Sequence, residues 1–211
     1  KILQHRTQEL IEYQNLSFAK EYIDFVGNVY KKEKKTRSSS DLTQNVAKYL
    51  FKLMATKDEY EVARLSLKAE LDSAISQEFG KSAKINYMLH PPFLKAMENI
   101  PVLNMLPGVK SKLALGSWFK VFYVMLKNMK FLRGTPLDFM AWFSSDVRKA
   151  DKKALNHYKS ILTKNLDEIG NGKYQDLKEF SVLPDIIRGY EEVRLETMTE
   201  YYQKSDSLFK S

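Results

Sequence analysis

The sequence contains no cysteine, and this absence excludes several classes of site. Without thiols the chain cannot form disulfides, use a cysteine nucleophile, or hold zinc or iron–sulfur clusters through cysteine ligands. The three histidines, His5, His90 and His157, are too far apart in sequence for a local histidine–metal motif. The patterns typical of nucleotide-binding loops, zinc proteases, serine hydrolases and protein kinases are also missing. Motifs therefore predict no catalytic residue, no cofactor-binding residue and no metal ligand.

Long apolar runs are missing as well. A membrane-spanning helix needs roughly 20 consecutive apolar residues, and the best candidate, 118–132, is interrupted by Lys120, Lys127 and Lys130. The first residues are charged and then polar, which is not typical of a signal peptide. The lack of cysteine also fits a reducing compartment. We therefore expect a cytoplasmic chain with no membrane partner.

What is present is the composition of a folded helical protein. The 211 residues are 44% apolar and 12% aromatic, enough for a sizeable core. Apolar residues recur at helical spacing along most of the chain. This pattern predicts a mainly α fold, with residues 1–211 forming a single helical domain in which long helices surround a central apolar helix at about 117–131. At most one short strand pair is expected, near 83–89, where apolar residues partly alternate.

The helical pattern also predicts where the individual helices begin and end. One long helix is predicted over 1–30, because its apolar residues fall on a single stripe. Residues 31–40 are basic and serine-rich, which predicts a flexible basic connector. A phosphate-binding patch is the alternative there, but no aromatic or glycine-rich partner accompanies the charges. Further helices are expected at 41–55, 58–79, 146–169 and 190–209.

Charged residues concentrate where the helix ending near residue 55 gives way to the next. Acidic residues there suit the positive end of the second helix, so the stretch predicts a helix junction. Arg133 and Arg188 each precede a glycine in otherwise apolar surroundings. Each could bind an anionic ligand or pair with a nearby carboxylate such as Asp138 or Asp185, and the structural role is favoured.

Five segments of the chain have distinctive residue orders. They are Tyr49–Leu65, the double-proline segment His90–Leu94, Leu115–Trp118, Leu132–Asp138 and Leu183–Tyr190. In this order they resemble the C-terminal helical region of the fused indolepyruvate ferredoxin oxidoreductases, members of the 2-oxoacid:ferredoxin oxidoreductase family. The resemblance covers nearly the whole chain. It weakens after Asp138, where Arg148 is the only arginine of the following stretch, and after Gly189, where Glu191 and Glu192 replace a glycine and a histidine.

The resemblance implies that the chain, which does not begin with methionine, is a C-terminal fragment of a larger multidomain enzyme. Enzymes of that family convert aryl-pyruvates and CoA to acyl-CoA and reduce ferredoxin, using thiamine diphosphate and iron–sulfur clusters. Those cofactors would be held by other domains, so this segment is expected to hold none. The expected role is that of a non-catalytic accessory and assembly domain.

The implied partners are the catalytic domains of the parent polypeptide, with ferredoxin as the electron acceptor of the parent enzyme and a homodimer left open. The contact is predicted to use the charged junction and the two Arg-Gly turns. These positions are Lys57, Asp58, Glu59, Glu61, Arg64, Arg133 and Arg188.

Two alternatives remain. One is a free-standing basic helical module that binds nucleic acid or an acidic protein partner, in keeping with the net charge of +8. Nucleic acid is the less favoured of these, because acidic residues are scattered among the lysines and no aromatic–basic motif accompanies them. The other is a small enzyme whose site requires a cavity lined by convergent polar groups.

Overall fold

The computed structural model describes residues 2–80, 86–89, 113–143 and 145–209. The double-proline segment His90–Leu94 lies outside these described residues, as do positions 83–85 of the expected strand.

The first predicted helix is in fact two helices. Helix α1 covers Ile2–Tyr13 and helix α2 covers Leu16–Thr36. Asn15 separates them in an extended conformation, and its side-chain oxygen accepts a hydrogen bond from the Phe18 N–H at 2.9 Å. Asparagine is a favoured N-cap because it satisfies an N–H that the new helix leaves unpaired. The prediction of one unbroken helix over 1–30 is therefore wrong, although the apolar stripe continues on α2.

The connector predicted at 31–40 is shorter than expected, because α2 continues to Thr36. Only residues 37–40 link α2 to helix α3, which covers Asp41–Met54. The last turns of α2 are held by Glu33, which is fully buried although it lies in a run of lysines. It continues the buried stripe of α2 at helical spacing.

The charged stretch folds as predicted into the beginning of a second helix. Helix α4 covers Glu59–Ser66 and helix α5 covers Ala69–Phe79, with a break at residues 67–68. Gly80 follows α5 with a φ of +82°, a conformation that glycine adopts without strain.

A two-stranded antiparallel sheet is present, and only its first strand lies in the predicted stretch 83–89. Strand β1 covers Tyr87–Leu89 and strand β2 covers Leu113–Leu115, with Tyr87 opposite Leu115. The apolar segment that follows is helical throughout. It consists of a 3₁₀ turn at Ser117–Phe119, helix α6 at Lys120–Asn128 and a second 3₁₀ turn at Met129–Leu132.

The rest of the described chain is also helical. Helix α7 covers Phe139–Phe143 and helix α8 covers Ser145–Asn165, which is extended by a 3₁₀ turn at Leu166–Asn171. Helix α9 covers Tyr174–Val182 and leads into a 3₁₀ turn at Leu183–Asp185. The last helix, α10, covers Glu191–Phe209.

The chain forms two compact units. The larger unit comprises residues 1–56 and 146–211, and its core joins side chains of α2, α3, α8, α9 and α10. Tyr22 and Tyr158 are fully buried there and donate hydrogen bonds to the carbonyls of Ala47 and Ser181, each at 2.8 Å. Burial raises the pKa of both hydroxyls, so both remain neutral donors.

The smaller unit comprises residues 57–145, and α4 packs against α6 within it. Its core consists of Tyr60, Ala63, Phe119, Tyr123, Leu126 and Met140. The central position predicted for 117–131 therefore applies to this unit, and the larger core contains no residue of that segment. The segment is rich in apolar residues, but Val121 is 76% exposed, so only one face packs.

The predicted fold class, mainly α, is confirmed. Among the helices of the described ranges, none combines the length and the apolar character needed to cross a bilayer.

Candidate functional site

The predicted contact residues begin at the N-terminus of α4, where Asp58 is the capping residue. Its Oδ1 accepts a hydrogen bond from the backbone N–H of Glu61 at 2.9 Å. The same carboxylate receives the guanidinium of Arg133, with Nη2 2.8 Å from Oδ1 and Nε bonded to Oδ2. The Asp58 side chain is only 7% exposed and that of Arg133 only 12%. The fork of two parallel bonds is the strongest ion-pair geometry that arginine makes.

Tyr60 extends this pair into the core. The Arg133 guanidinium carbon lies 5.5 Å from the centre of the Tyr60 ring, close enough for a cation–π interaction. The Tyr60 hydroxyl donates to Asp138 Oδ1 at 2.9 Å, and both residues are 1% exposed. Tyr60 thus connects the cap of α4 to the turn that precedes α7.

Asp138 fixes that turn. Its Oδ2 accepts from the Gly134 N–H at 2.9 Å, and its Oδ1 also accepts from the Ala141 N–H at 3.2 Å. Gly134 has a φ of +76°, which explains the glycine at this position of the Arg-Gly turn. We refer to Asp58, Tyr60, Arg133, Gly134 and Asp138 together as the arginine junction.

A second ion pair lies one turn further along α4. The Arg64 guanidinium donates from Nε and Nη2 to the two oxygens of Glu61, each at 2.8 Å. Glu61 is 6% exposed and Arg64 is 5% exposed. A buried charge is tolerated only when it is paired in this way, so the two side chains depend on each other.

Four of the seven predicted contact residues therefore form two nearly buried pairs inside the smaller unit: Asp58 with Arg133, and Glu61 with Arg64. Of the other three, Lys57 is exposed and Glu59 is half-buried, beside the pairs in sequence. Arg188 is exposed and belongs to the larger unit. Its backbone N–H donates to Thr197 Oγ1 at 3.3 Å.

The larger unit has a buried charge that sequence reasoning missed. The Glu33 carboxylate accepts from the backbone N–H groups of Leu42 and Thr43, at 3.0 and 2.9 Å, at the N-terminus of α3. It also accepts from the Tyr174 hydroxyl at 2.9 Å. A carboxylate at a helix N-terminus meets unpaired donors and the positive end of the helix dipole. Helical spacing could have indicated that Glu33 is buried, since it lies four residues after the buried Val29.

His157 on α8 is the one described histidine with a side-chain partner. Its Nδ1 lies 3.2 Å from the Tyr201 hydroxyl. Burial lowers the pKa of His157 below its ordinary value of 6.5, and burial raises the pKa of Tyr201. A neutral imidazole beside a neutral phenol is a stable hydrogen-bonded arrangement. Among the residues that the structure describes, none is hydrogen-bonded to His157 as the carboxylate or the nucleophile of a catalytic triad would be.

The side chains of these clusters stabilise the fold through hydrogen bonds and ion pairs. Asp58 and Asp138 already accept bonds from arginine, tyrosine and backbone donors, so a cation would have to displace Arg133 or Tyr60. Across the part of the chain that the structure describes, no group of three histidine, aspartate or glutamate side chains could hold a metal ion. Cysteine-ligated iron–sulfur clusters do not fit this chain, because it has no cysteine.

A family of unknown function, DUF6537, matches residues 1–207. No curated protein and no solved structure matches the chain.

Proposed function

We propose that this chain, which belongs to the DUF6537 family of unknown function, is a non-catalytic accessory and assembly domain of an indolepyruvate (2-oxoacid) ferredoxin oxidoreductase. The family match describes no activity. The proposal therefore rests on the resemblance of the five segments and on what their residues do in the fold.

The arginine junction is the observation that carries the proposal. It joins two of the resembling segments, Tyr49–Leu65 and Leu132–Asp138, through the pair Asp58–Arg133 and the bond Tyr60–Asp138. The distinctive residues of both segments cap a helix or fix a turn. These residues therefore have structural roles in the fold, which supports a non-catalytic domain.

The chemistry then belongs to the rest of the parent polypeptide. Thiamine diphosphate and iron–sulfur clusters would be bound by its other domains, where aryl-pyruvates and CoA react and ferredoxin is reduced. The complete enzyme is proposed to be cytoplasmic. This chain contributes a helical surface against which the catalytic domains pack.

The exposed members of the predicted contact set are the ones available for that packing. We assign the contact to Lys57 and Arg188, because the charges of Asp58, Glu61, Arg64 and Arg133 are matched within the smaller unit. Arg188→Glu is expected to weaken assembly of the parent enzyme, as measured by analytical ultracentrifugation. The matched control is Lys35→Glu, which makes the same charge change at another exposed position of the larger unit. Equal assembly of both variants would remove Arg188 from the contact.

The proposed function is tested on the native protein, purified without denaturation from its source. The expected result is that this chain is recovered in one polypeptide or complex with bound iron and thiamine diphosphate. That material should reduce ferredoxin when supplied with indolepyruvate and CoA. Recovery of the chain in material without iron, thiamine diphosphate and 2-oxoacid-dependent reduction would contradict the proposal.

A further inference from the structure

One face of α8 forms a shallow groove that is largely open to solvent. The lining residues all lie on α8 and recur at helical spacing. They are Lys149, Lys152, Lys153, Asn156, His157 and Ser160. We call this surface the lysine groove. It belongs wholly to the larger unit and is separate from the arginine junction.

The three lysines of the groove are not neutralised within the described part of the chain. No described carboxylate lies within ion-pair distance of Lys149, Lys152 or Lys153, and all three are exposed. Lys153 Nζ lies 5.3 Å from the centre of the Tyr202 ring, a cation–π contact that leaves its charge unmatched by a carboxylate. The other cations nearby form ion pairs. Lys159, on the same helix, pairs with Glu21, and Arg194 on α10 pairs with Asp151 of α8 at 2.7 Å. The positive charge is therefore concentrated on one face of α8.

The spacing of the lysines indicates the shape of the occupant. From Lys149 to Lys153 the helix axis rises about 6 Å, and Lys152 lies between them on the same face. Glutamates placed three or four residues apart on a helix present their carboxylates at about the same interval of 5–6 Å. The aliphatic stems of the lysines supply an apolar floor for the side chains between those carboxylates. The groove thus matches an acidic amphipathic segment in both charge and spacing.

The groove fits nucleic acid less well. Single-stranded nucleic acid is held by exposed aromatic faces on which bases stack. The ring in the lining, that of His157, is half-buried and meets the rings of Tyr201 and Tyr202 edge to face, with centroids 5.6 and 5.0 Å away. This packing places the imidazole against aromatic neighbours of the core and not flat against a base.

We infer that the lysine groove docks an acidic, helical segment of a protein partner. The inference does not depend on the oxidoreductase proposal, since it rests only on the charges and spacing of α8.

The test uses the full chain and a fluorescein-labelled peptide in which glutamates recur at positions i, i+3, i+4 and i+7 among alanines and leucines. Binding is followed by fluorescence anisotropy at low salt. The variant is the pair Lys149→Glu and Lys152→Glu. The matched control is the pair Lys20→Glu and Lys127→Glu, which makes the same change in net charge at exposed positions outside the groove. Circular dichroism checks that both double variants remain folded.

The expected result is that wild type and control bind equally and that the groove variant binds at least about tenfold more weakly. Binding should also weaken as salt rises, because the pairs are exposed to solvent. A peptide of the same composition with its glutamates in one block should bind less well than the helically spaced one. Equal binding by groove variant and control, no binding by wild type, or tighter binding of a single-stranded oligonucleotide than of the peptide overturns the inference.

Discussion

Arg133 donates two hydrogen bonds to Asp58 across 75 residues of sequence, and both side chains are nearly excluded from solvent. The pair closes the smaller unit around its own core, because Asp58 caps α4 and Arg133 precedes the turn to α7. Substituting either residue would leave the other charge in a low-dielectric environment without its ion-pair partner. Substitutions in the arginine junction should therefore lower the free energy of unfolding strongly.

Tyr60→Phe removes only the hydroxyl that bonds to Asp138. Because the Asp138 carboxylate is 1% exposed, it would lose a donor that water cannot easily replace. We expect a loss of about 1–3 kcal/mol in the free energy of unfolding, measured in urea. Tyr190→Phe is the control, since Tyr190 is 68% exposed and should change stability by less than about 0.5 kcal/mol. Equal stability of both variants would show that the Tyr60 bond contributes nothing.

Glu33→Gln tests the buried cap of α3. The amide keeps the size of the side chain but offers one acceptor oxygen where the carboxylate offers two, so a donor at the start of α3 loses its partner. The expected cost is about 1.5–3 kcal/mol, because hydrogen bonds to a buried charge are stronger than neutral ones. Hydrogen exchange at Leu42 and Thr43 should accelerate. Glu168→Gln makes the same change on the surface, and an equal effect there would contradict a special role for Glu33.

Three glycine-to-alanine substitutions should differ in sign and size. Gly27 lies within α2, and an added Cβ would meet no atom within 4 Å, so alanine should stabilise by about 0.5–1 kcal/mol. Gly134 also has open space, but its φ of +76° makes alanine cost about 1 kcal/mol or more. Gly189 combines a φ of +81° with a Cβ position only 2.6 Å from Val193 Cγ1, and should cost the most. Thermal unfolding gives the order, and a destabilising Gly27→Ala would contradict it.

The lowered pKa of His157 predicts that the stability of the fold depends on pH. Burial places its pKa in the folded chain below 6.5, so the unfolded chain binds more protons as the pH falls through this range. The stability that depends on a neutral His157 is fully present above about pH 6.5. It is lost progressively as the pH falls toward the lowered pKa of His157 in the folded chain. His157→Gln should flatten the decrease in Tm between about pH 7 and pH 5. His5→Gln, at an exposed position, should leave the wild-type slope unchanged, and the same slope in all three proteins would contradict this assignment.

Much of the architecture could be predicted from periodicity and capping residues. The helix break before Asp58, the glycine after α5 and strand β1 all follow from local preferences, and the structure contains each of them. Local preferences did not predict the partner strand β2. Local preferences could not place the break at Asn15, because the apolar stripe continues on the far side of it. Asn15 caps the second helix there, but an asparagine alone does not mark a helix break in a sequence.

The side-chain partners that the sequence did not predict are residues distant in sequence. Arg133 was recognised as an arginine in apolar surroundings, but the partners suggested for it were carboxylates close in sequence, and its actual partner is Asp58. Asp138 instead bonds to Tyr60 and to the turn itself. Glu33 was assigned to a solvated connector because lysines surround it, whereas the core of the larger unit buries it. In each case the deciding neighbour is distant in sequence.

A double-mutant cycle on Asp58 and Arg133 tests the structural role of the junction most directly. The free energy of unfolding is measured for wild type, Asp58→Ala, Arg133→Ala and the double variant. Each single variant should lose about 3–5 kcal/mol, because it removes the ion-pair partner of a charge in a nearly buried site. The double variant should lose clearly less than the sum, which gives a coupling free energy within the 0.5–3 kcal/mol typical of residues in contact. Additive losses, or single losses below about 0.5 kcal/mol, would contradict the account.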